Sequence, residues 1–346
     1  MKITTVGLDL AKSVFQVHAV DERGQVVQRR KLRRDELAGY FAALPPCLVG
    51  MEACGSAHHW ARRIAGFGHE VRLMPPQYVK PYVKTNKSDA RDAEAICEAV
   101  RRPNMRFVPV KSVEQQAVLS LHRARQGMIE ARTAQSNQIR GLMAEFGLVL
   151  PQGISQIRTQ AAVRLDAFED LPELARQMFQ SLLENFRDLD GRVQELEKRI
   201  VAWHRSSQES QRIEQIPGIG PLGATALIAS IGDIKAFGSG RQLAAWLGLT
   251  PRQSSSGGKE RLLGISKKGD SYLRTLLIHG ARSVILAEST KTKAQPNGWI
   301  INMLQRKHHN IAAVALANKN ARTLWALLTH GRNFQHGYVS CPPLAA

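Results

Sequence analysis

Four carboxylates and a run of serines are the residues of this 346-residue chain whose types and spacing suit metal or covalent chemistry. Asp9 ends the apolar, β-branched run Ile3-Thr4-Thr5-Val6-Gly7-Leu8, and Glu52 ends the apolar run Cys47-Leu48-Val49-Gly50-Met51. Each reads as a buried strand that carries an acid at its C-terminal end. A buried acid is costly unless something compensates, and a bound cation is the usual compensation. Taken alone, Asp9 fits a capping or turn aspartate equally well; Glu52 repeats its placement, which favours the cation. Asp89 and Asp92 stand three apart behind Ser88, an N-cap residue type, and so share one face of a helix's first turn. The helix dipole favours acids there in any case, so this pair alone also fits a solvated face. Together the four supply the oxygen ligands that a pair of Mg²⁺ (or Mn²⁺) ions requires, and two such ions clamp the attacking and leaving oxygens of phosphoryl transfer.

The serine run is Ser254-Ser255-Ser256-Gly257-Gly258, flanked by Arg252, Lys259 and Arg261. It offers an exposed hydroxyl on a mobile backbone within a phosphate-attracting field. Serine becomes a nucleophile only when it is activated or when its electrophile is primed. Ser/Gly loops also serve as plain linkers. Upstream, Ile216-Pro217-Gly218-Ile219-Gly220-Pro221 precedes an Ala-rich helix, which is the form of a helix-hairpin-helix. Gly218 and Gly220 would let backbone N–H groups approach a phosphate; a tight helix–helix turn with no ligand is the alternative. Downstream, Ser266-Lys267-Lys268-Gly269-Asp270 opens a helix through Leu273, Leu276, Leu277 and Val284, with Lys267, Lys268 and Arg274 set to face phosphates.

The net charge of +19 attracts polyanions, and without a transmembrane run the expected partner is nucleic acid rather than lipid. The four cysteines, Cys47, Cys54, Cys97 and Cys341, form no Cys-x-x-Cys pair, so reduced thiols in a cytoplasmic protein fit better than zinc or disulfides. Asp9 and Lys12 come too early for a signal-peptide core.

These residues need elements to position them. Residues 1–110 read as strands at 3–11, 14–20 and 26–32, a helix at 35–41, a strand at 47–53, a helix at 58–65, a strand at 70–74, and a helix to Val100. That order gives an α/β domain with a mixed sheet, and ligands collect at the carboxyl ends of such strands. Residues 111–205 read as two long helices. Phe179, Leu182, Phe186, Leu189, Val193, Leu196, Ile200 and Trp203 make an a/d seam of a coiled coil, either within the chain or between subunits. Arg125 and Arg132 interrupt the seam of the first helix, by contacting phosphates or by snorkelling along a partner helix. Residues 206–346 read as mainly helical.

Gly7-Leu8-Asp9-Leu10-Ala11-Lys12, Glu52-Ala53 and Lys87-Ser88-Asp89-Ala90-Arg91-Asp92-Ala93 resemble the three acidic motifs of DEDD transposases of bacterial insertion sequences, the group that includes Piv-type invertases. Pro251 to Lys259 and Gly264 to Asp270 resemble that family's C-terminal transposase domain. The resemblance implies an RNase H-like (RuvC-like) first domain with Asp9, Glu52, Asp89 and Asp92 as a metal-binding tetrad. It also implies a serine nucleophile just before glycine, which falls on Ser256 with Ser255 as rival. DNA ends, a guide RNA encoded beside the gene, coiled-coil assembly into a dimer or tetramer, and a nucleoid-associated location follow as expectations. Two other readings stand beside it: a metal-dependent junction resolvase without the serine, and a non-catalytic nucleic-acid-binding protein.

Overall fold

β-Branched and apolar residues alternate through Thr5–Leu10 (β1) and Val14–Val20 (β2), and the two strands pair antiparallel. The turn Asp21–Gly24, with Gly24 at φ 80°, returns the chain as Val26–Arg33 (β3), antiparallel to β2. After Glu36–Ala43 (α1), Leu48–Glu52 (β4) joins β1 in parallel; after Ala57–Ala65 (α2), Glu70–Met74 (β5) joins β4 in parallel. The sheet order is β3-β2-β1-β4-β5, the mixed α/β sheet expected. Pro76–Val79 (α3) and Asp89–Val100 (α4) follow.

The computed structural model describes residues 2–84, 88–290 and 297–338. Thr85, Asn86 and Lys87 of the third acidic motif, and Cys341, lie outside the described residues. The chain divides into two compact units, residues 1–116 with 231–236, and residues 117–230 with 237–346.

In the first unit, each face of the sheet has its own cover. Val6, Leu8, Phe15, Val17, Val49 and Met51 point to the side that α1 and α2 close with Leu37, Phe41, Trp60 and Ile64. On the opposite side α4 packs over β1, β2 and β4, with Ala95, Ile96, Ala99 and Val100 buried beside Met74 and Val79.

The second unit is mainly helical. Val113–Glu145 (α5) pairs with Glu173–Ser206 (α8), and between them in sequence lie Ile154–Gln156 (α6), a π turn at Ile157–Ala161 and Ala162–Asp166 (α7). Ile139, Met143, Ile157, Leu165, Phe179, Leu183 and Phe186 form one core. The α8 seam keeps its three-four spacing, with Phe179, Phe186, Val193 and Ile200 buried as expected; the alternate positions shift by one, so that Leu183, Asp190 and His204, with Ala175 ahead of them, are buried in place of Leu182, Leu189 and Trp203. The seam includes charge because α5 supplies the partners. Arg132 bonds Asp190 at 2.7 Å and Arg125 bonds Glu197 at 2.6 Å, so these arginines engage carboxylates of α8 rather than phosphates.

Gln208–Glu214 (α9), Pro221–Ile231 (α10) and Gly240–Trp246 (α11) follow, then Pro251–Gln253 (β6) and Leu262–Ile265 (β7). Ser271–Thr290 (α12), Gly298–Arg306 (α13) and His309–His330 (α14) complete the unit, with α14 packed on α11 and α12. The serine stretch is an exposed loop, as its Ser/Gly composition leads one to expect, and it joins β6 to β7 as the tip of a hairpin.

Candidate active site

Strand alternation puts Gly7 and Asp9 on one face of β1 and Gly50 and Glu52 on the same face of β4, because Gly7 pairs with Gly50 in parallel register. Both glycines are needed there. A Cβ on Gly7 would collide with the Ala93 carbonyl and lie 2.5 Å from the Cys97 nitrogen, and one on Gly50 would lie 2.7 Å from the Val100 Cβ. With no side chain beneath it, α4 lies directly on the two strands. Its first turn then stands over the end of β1. Asp9, Asp89 and Asp92 consequently converge, each offering a carboxylate oxygen within 4.8 Å of the others. Asp9 and Asp92 are half-buried and Asp89 is exposed.

Glu52 sits half-buried at the end of β4, one strand from Asp9, and is not part of that three-way convergence. Cys54 lies near both acids: burial raises its thiol pKa first, then the charges of Glu52 and Asp9. Deeper on the same face, Glu94 bonds Lys84 at 2.6 Å, and that bond holds its carboxyl below the usual range. Buried His18 has its pKa lowered chiefly by desolvation, with Glu94 opposing. Three carboxylates at such separations repel one another when ionised, and their oxygens are the donors a hard divalent cation takes. The donor set fits such an ion.

The hairpin presents the serines in a defined way. Gly257 and Gly258 both take positive φ, 57° and 76°, as a two-residue primed turn requires. Ser256 pairs with Lys259 across that turn, and the Lys259 N–H donates to the Ser256 carbonyl at 3.1 Å. The Ser255 hydroxyl accepts from Gln253 Nε2 at 3.0 Å. Ser254, Ser255, Ser256, Arg252, Lys259 and Arg261 are all exposed. Lys267 and Lys268 are exposed in the turn before α12, where Asp270 caps the helix by accepting from the Tyr272 N–H at 2.7 Å. Arg274 was expected to face phosphates; its Nη1 instead donates to the Leu247 and Lys268 carbonyls at 3.2 and 2.9 Å. Gly218, at φ 89°, is pressed against Gly280 of α12, so its close approach is to a helix backbone; Gly220 faces open space.

Two transposase family models match the chain. One, of the DEDD type, covers residues 6–147, and one described as the IS116/IS110/IS902 family covers residues 210–295. A probable family 20 transposase of Pseudomonas aeruginosa is 52% identical over 339 residues, 97% of this chain and 100% of the relative. The chain belongs to the IS116/IS110/IS902 family of transposases. The transposase for insertion sequence element IS1111A of Coxiella burnetii is 43% identical over 97% of this chain and 92% of its own length. That for IS1328 of Yersinia enterocolitica is 39% identical over 96% and 98%.

As a transposase, the chain is an enzyme acting on DNA. Its DEDD-type match contains Asp9, Glu52, Asp89 and Asp92, and a domain of that type implies a divalent metal, for which the acidic group is at hand. The second match contains Gly218, Gly220, the hairpin and the whole of α12. Among the described residues no helix is long and apolar enough to cross a membrane. Sequence reading missed the role of Gly7 and Gly50. The signal was present as a repeat, Gly7-Leu8-Asp9 and Gly50-Met51-Glu52, a glycine two residues before each strand-end acid.

Proposed function

We propose that this transposase cleaves and rejoins DNA through a covalent link to Ser256, assisted by a divalent cation held by Asp9, Asp89 and Asp92 with Glu52 beside them. The observation that carries the reading is the convergence of Asp9, Asp89 and Asp92 from a strand end and a helix start. When bound, the cation supplies positive charge against the phosphate oxygens and the departing oxygen. The Ser256 Oγ bonds to phosphorus and loses its proton; the bond from phosphorus to one deoxyribose oxygen breaks, and that oxygen ends as a hydroxyl. Rejoining reverses both changes and frees the serine.

The hairpin supports Ser256 as the nucleophile in preference to Ser255. Ser256 stands directly at the turn, while the Ser255 hydroxyl is engaged by Gln253. Arg252, Lys259 and Arg261 on the hairpin, Lys267 and Lys268 before α12, and the open Gly220 turn would meet phosphates. Strand exchange handles several DNA ends, so the working form is a dimer or tetramer. The net charge of +19 also suits an element-encoded guide RNA.

The test is a covalent adduct assay with protein, element DNA, the RNA flanking the gene, and Mg²⁺. A protein–DNA adduct is expected from the wild type and from Ser255→Ala, and none from Ser256→Ala. Adduct and recombination unchanged in both variants would sink the serine mechanism at these positions; recombination by the wild type with no adduct at all, abolished by Asp9→Asn, would leave a metal-only resolvase.

A further inference from the structure

The sequence crowds Arg29, Arg30, Lys31, Arg33 and Arg34 around the end of β3, and the structure sorts them. Arg30 stacks over Tyr40, and Arg34 over Phe15 and Trp60. Arg33 pairs with Asp35 and Glu36. Arg29 and Lys31 are different: both are exposed, and among the described residues neither has an ion-pair partner.

Register shows where these two point. Asp9 lies opposite Gln16, and Gln16 opposite Lys31; one row deeper, Gly7 lies opposite His18, and His18 opposite Arg29. Directly opposed residues share a face, so Arg29 and Lys31 stand on the face that carries the carboxylates. Adjacent strands are about 4.8 Å apart, which sets the Lys31 backbone roughly 10 Å from that of Asp9. Arg29 is close enough to buried His18 to act on its charge, together with Lys84 and Glu94. Because α4 covers β1, β2 and β4, this outer strip of the face stays open.

A phosphodiester presented to three clustered acids brings neighbouring phosphates that those acids repel. Cations beside the acids that are held in no ion pair offset that repulsion and hold the backbone. We infer that the strip formed by Gln16, Arg29 and Lys31 binds the phosphates adjoining the one presented to Asp9, and so guides a DNA strand across the sheet to the carboxylates. The inference rests on the proposed role of those carboxylates.

The experiment follows binding of a fluorescein-labelled DNA duplex of arbitrary sequence to the full chain by anisotropy, between about 50 and about 200 mM KCl. Each phosphate contact contributes roughly 0.9 to the slope of log affinity against log salt. The Arg29→Ala/Lys31→Ala double variant is expected to lower that slope by about 2. Arg29→Lys/Lys31→Arg should keep it, and Arg30→Ala/Arg33→Ala should leave it unchanged. A wild-type slope in Arg29→Ala/Lys31→Ala, or an equal loss in Arg30→Ala/Arg33→Ala, overturns the strip. An Asp9→Asn arm, read as excision of the element in cells, separates the two readings. If Asp9→Asn is inactive while Arg29→Ala/Lys31→Ala keeps the slope, the strip alone is wrong. If Asp9→Asn excises normally, the carboxylate reading fails and the proposed path to Asp9 falls with it.

Discussion

Arg132 of α5 and Asp190 of α8 form a 2.7 Å ion pair inside the helical unit, their side chains only 14% and 9% exposed. Arg158 adds a second bond to the same carboxylate at 2.6 Å and is more open to solvent. Burying charge is tolerable here because each carboxylate oxygen meets a guanidinium N–H.

Removing the acid alone leaves two arginines without a counter-charge. Asp190→Ala should cost about 3 kcal/mol or more of stability, read as the urea unfolding midpoint. Asp190→Leu combined with Arg132→Met should recover much of that loss, because an apolar pair of similar volume carries no desolvation cost. The bonds from Arg158, then Arg132, hold the Asp190 carboxyl below its ordinary value. A depressed acid stabilises the fold above its unfolded pKa and loses that contribution as pH falls. The gap between wild type and Asp190→Asn should therefore be full near neutrality and shrink below about pH 4.

His122 of α5 titrates in the same direction for another reason. Its ring is buried between the Tyr272 hydroxyl at 2.9 Å and Thr225 Oγ1 at 3.0 Å. Thr225 Oγ1 donates to the Pro221 carbonyl, so it accepts from the ring, and the other ring nitrogen accepts from Tyr272. Both partners suit the neutral imidazole, and desolvation first, then Arg125, push the pKa down to about 4. Proton resonance of the ring should show a midpoint near that value. Because the folded pKa lies below the unfolded one, His122 stabilises the fold above about pH 6.5 and loses that contribution as pH falls through 4, a change on the order of 3 kcal/mol. A midpoint near 6.5 would show that the ring is solvated.

Gly7→Ala tests how the carboxylates are positioned. The new methyl would have to displace α4 at Ala93 and Cys97, carrying Asp89 and Asp92 away from Asp9. Overpacking of this kind costs about 1–3 kcal/mol. Excision should fall much further than the amount of folded protein, and raising Mg²⁺ should recover part of it. Gly39→Ala, where a Cβ meets nothing within 4 Å, is the control and should behave as wild type.

The first unit was largely legible in the sequence. Four of its strands are short, largely apolar runs, β2 ended by the Asp21–Gly24 turn and β5 by Pro75, and Asp9 and Glu52 stand out because an acid at the end of such a run is rare without a reason. Gly7 and Gly50 were not legible, since what they permit is the close passage of a helix from a distant part of the chain. The α8 seam had the right period, and Phe179, Phe186, Val193 and Ile200 are buried where it placed them, but the alternate positions shift by one residue, from Leu182, Leu189 and Trp203 to Leu183, Asp190 and His204. Hydropathy favours Leu182 and Leu189, whereas Asp190 is buried because Arg132 and Arg158 meet it. The β6–β7 hairpin was hidden because its strands are almost wholly exposed, so they carry no alternation of apolar and polar residues.

The most direct test of the central claim is titration of the full chain with Mn²⁺, followed by the loss of its free electron paramagnetic resonance signal. The wild type should bind Mn²⁺ saturably. Asp9→Asn and Asp92→Asn should each weaken that binding and lower excision by roughly a hundredfold or more. If both variants take up Mn²⁺ as the wild type does and still excise the element, the convergence of Asp9, Asp89 and Asp92 is not the metal centre.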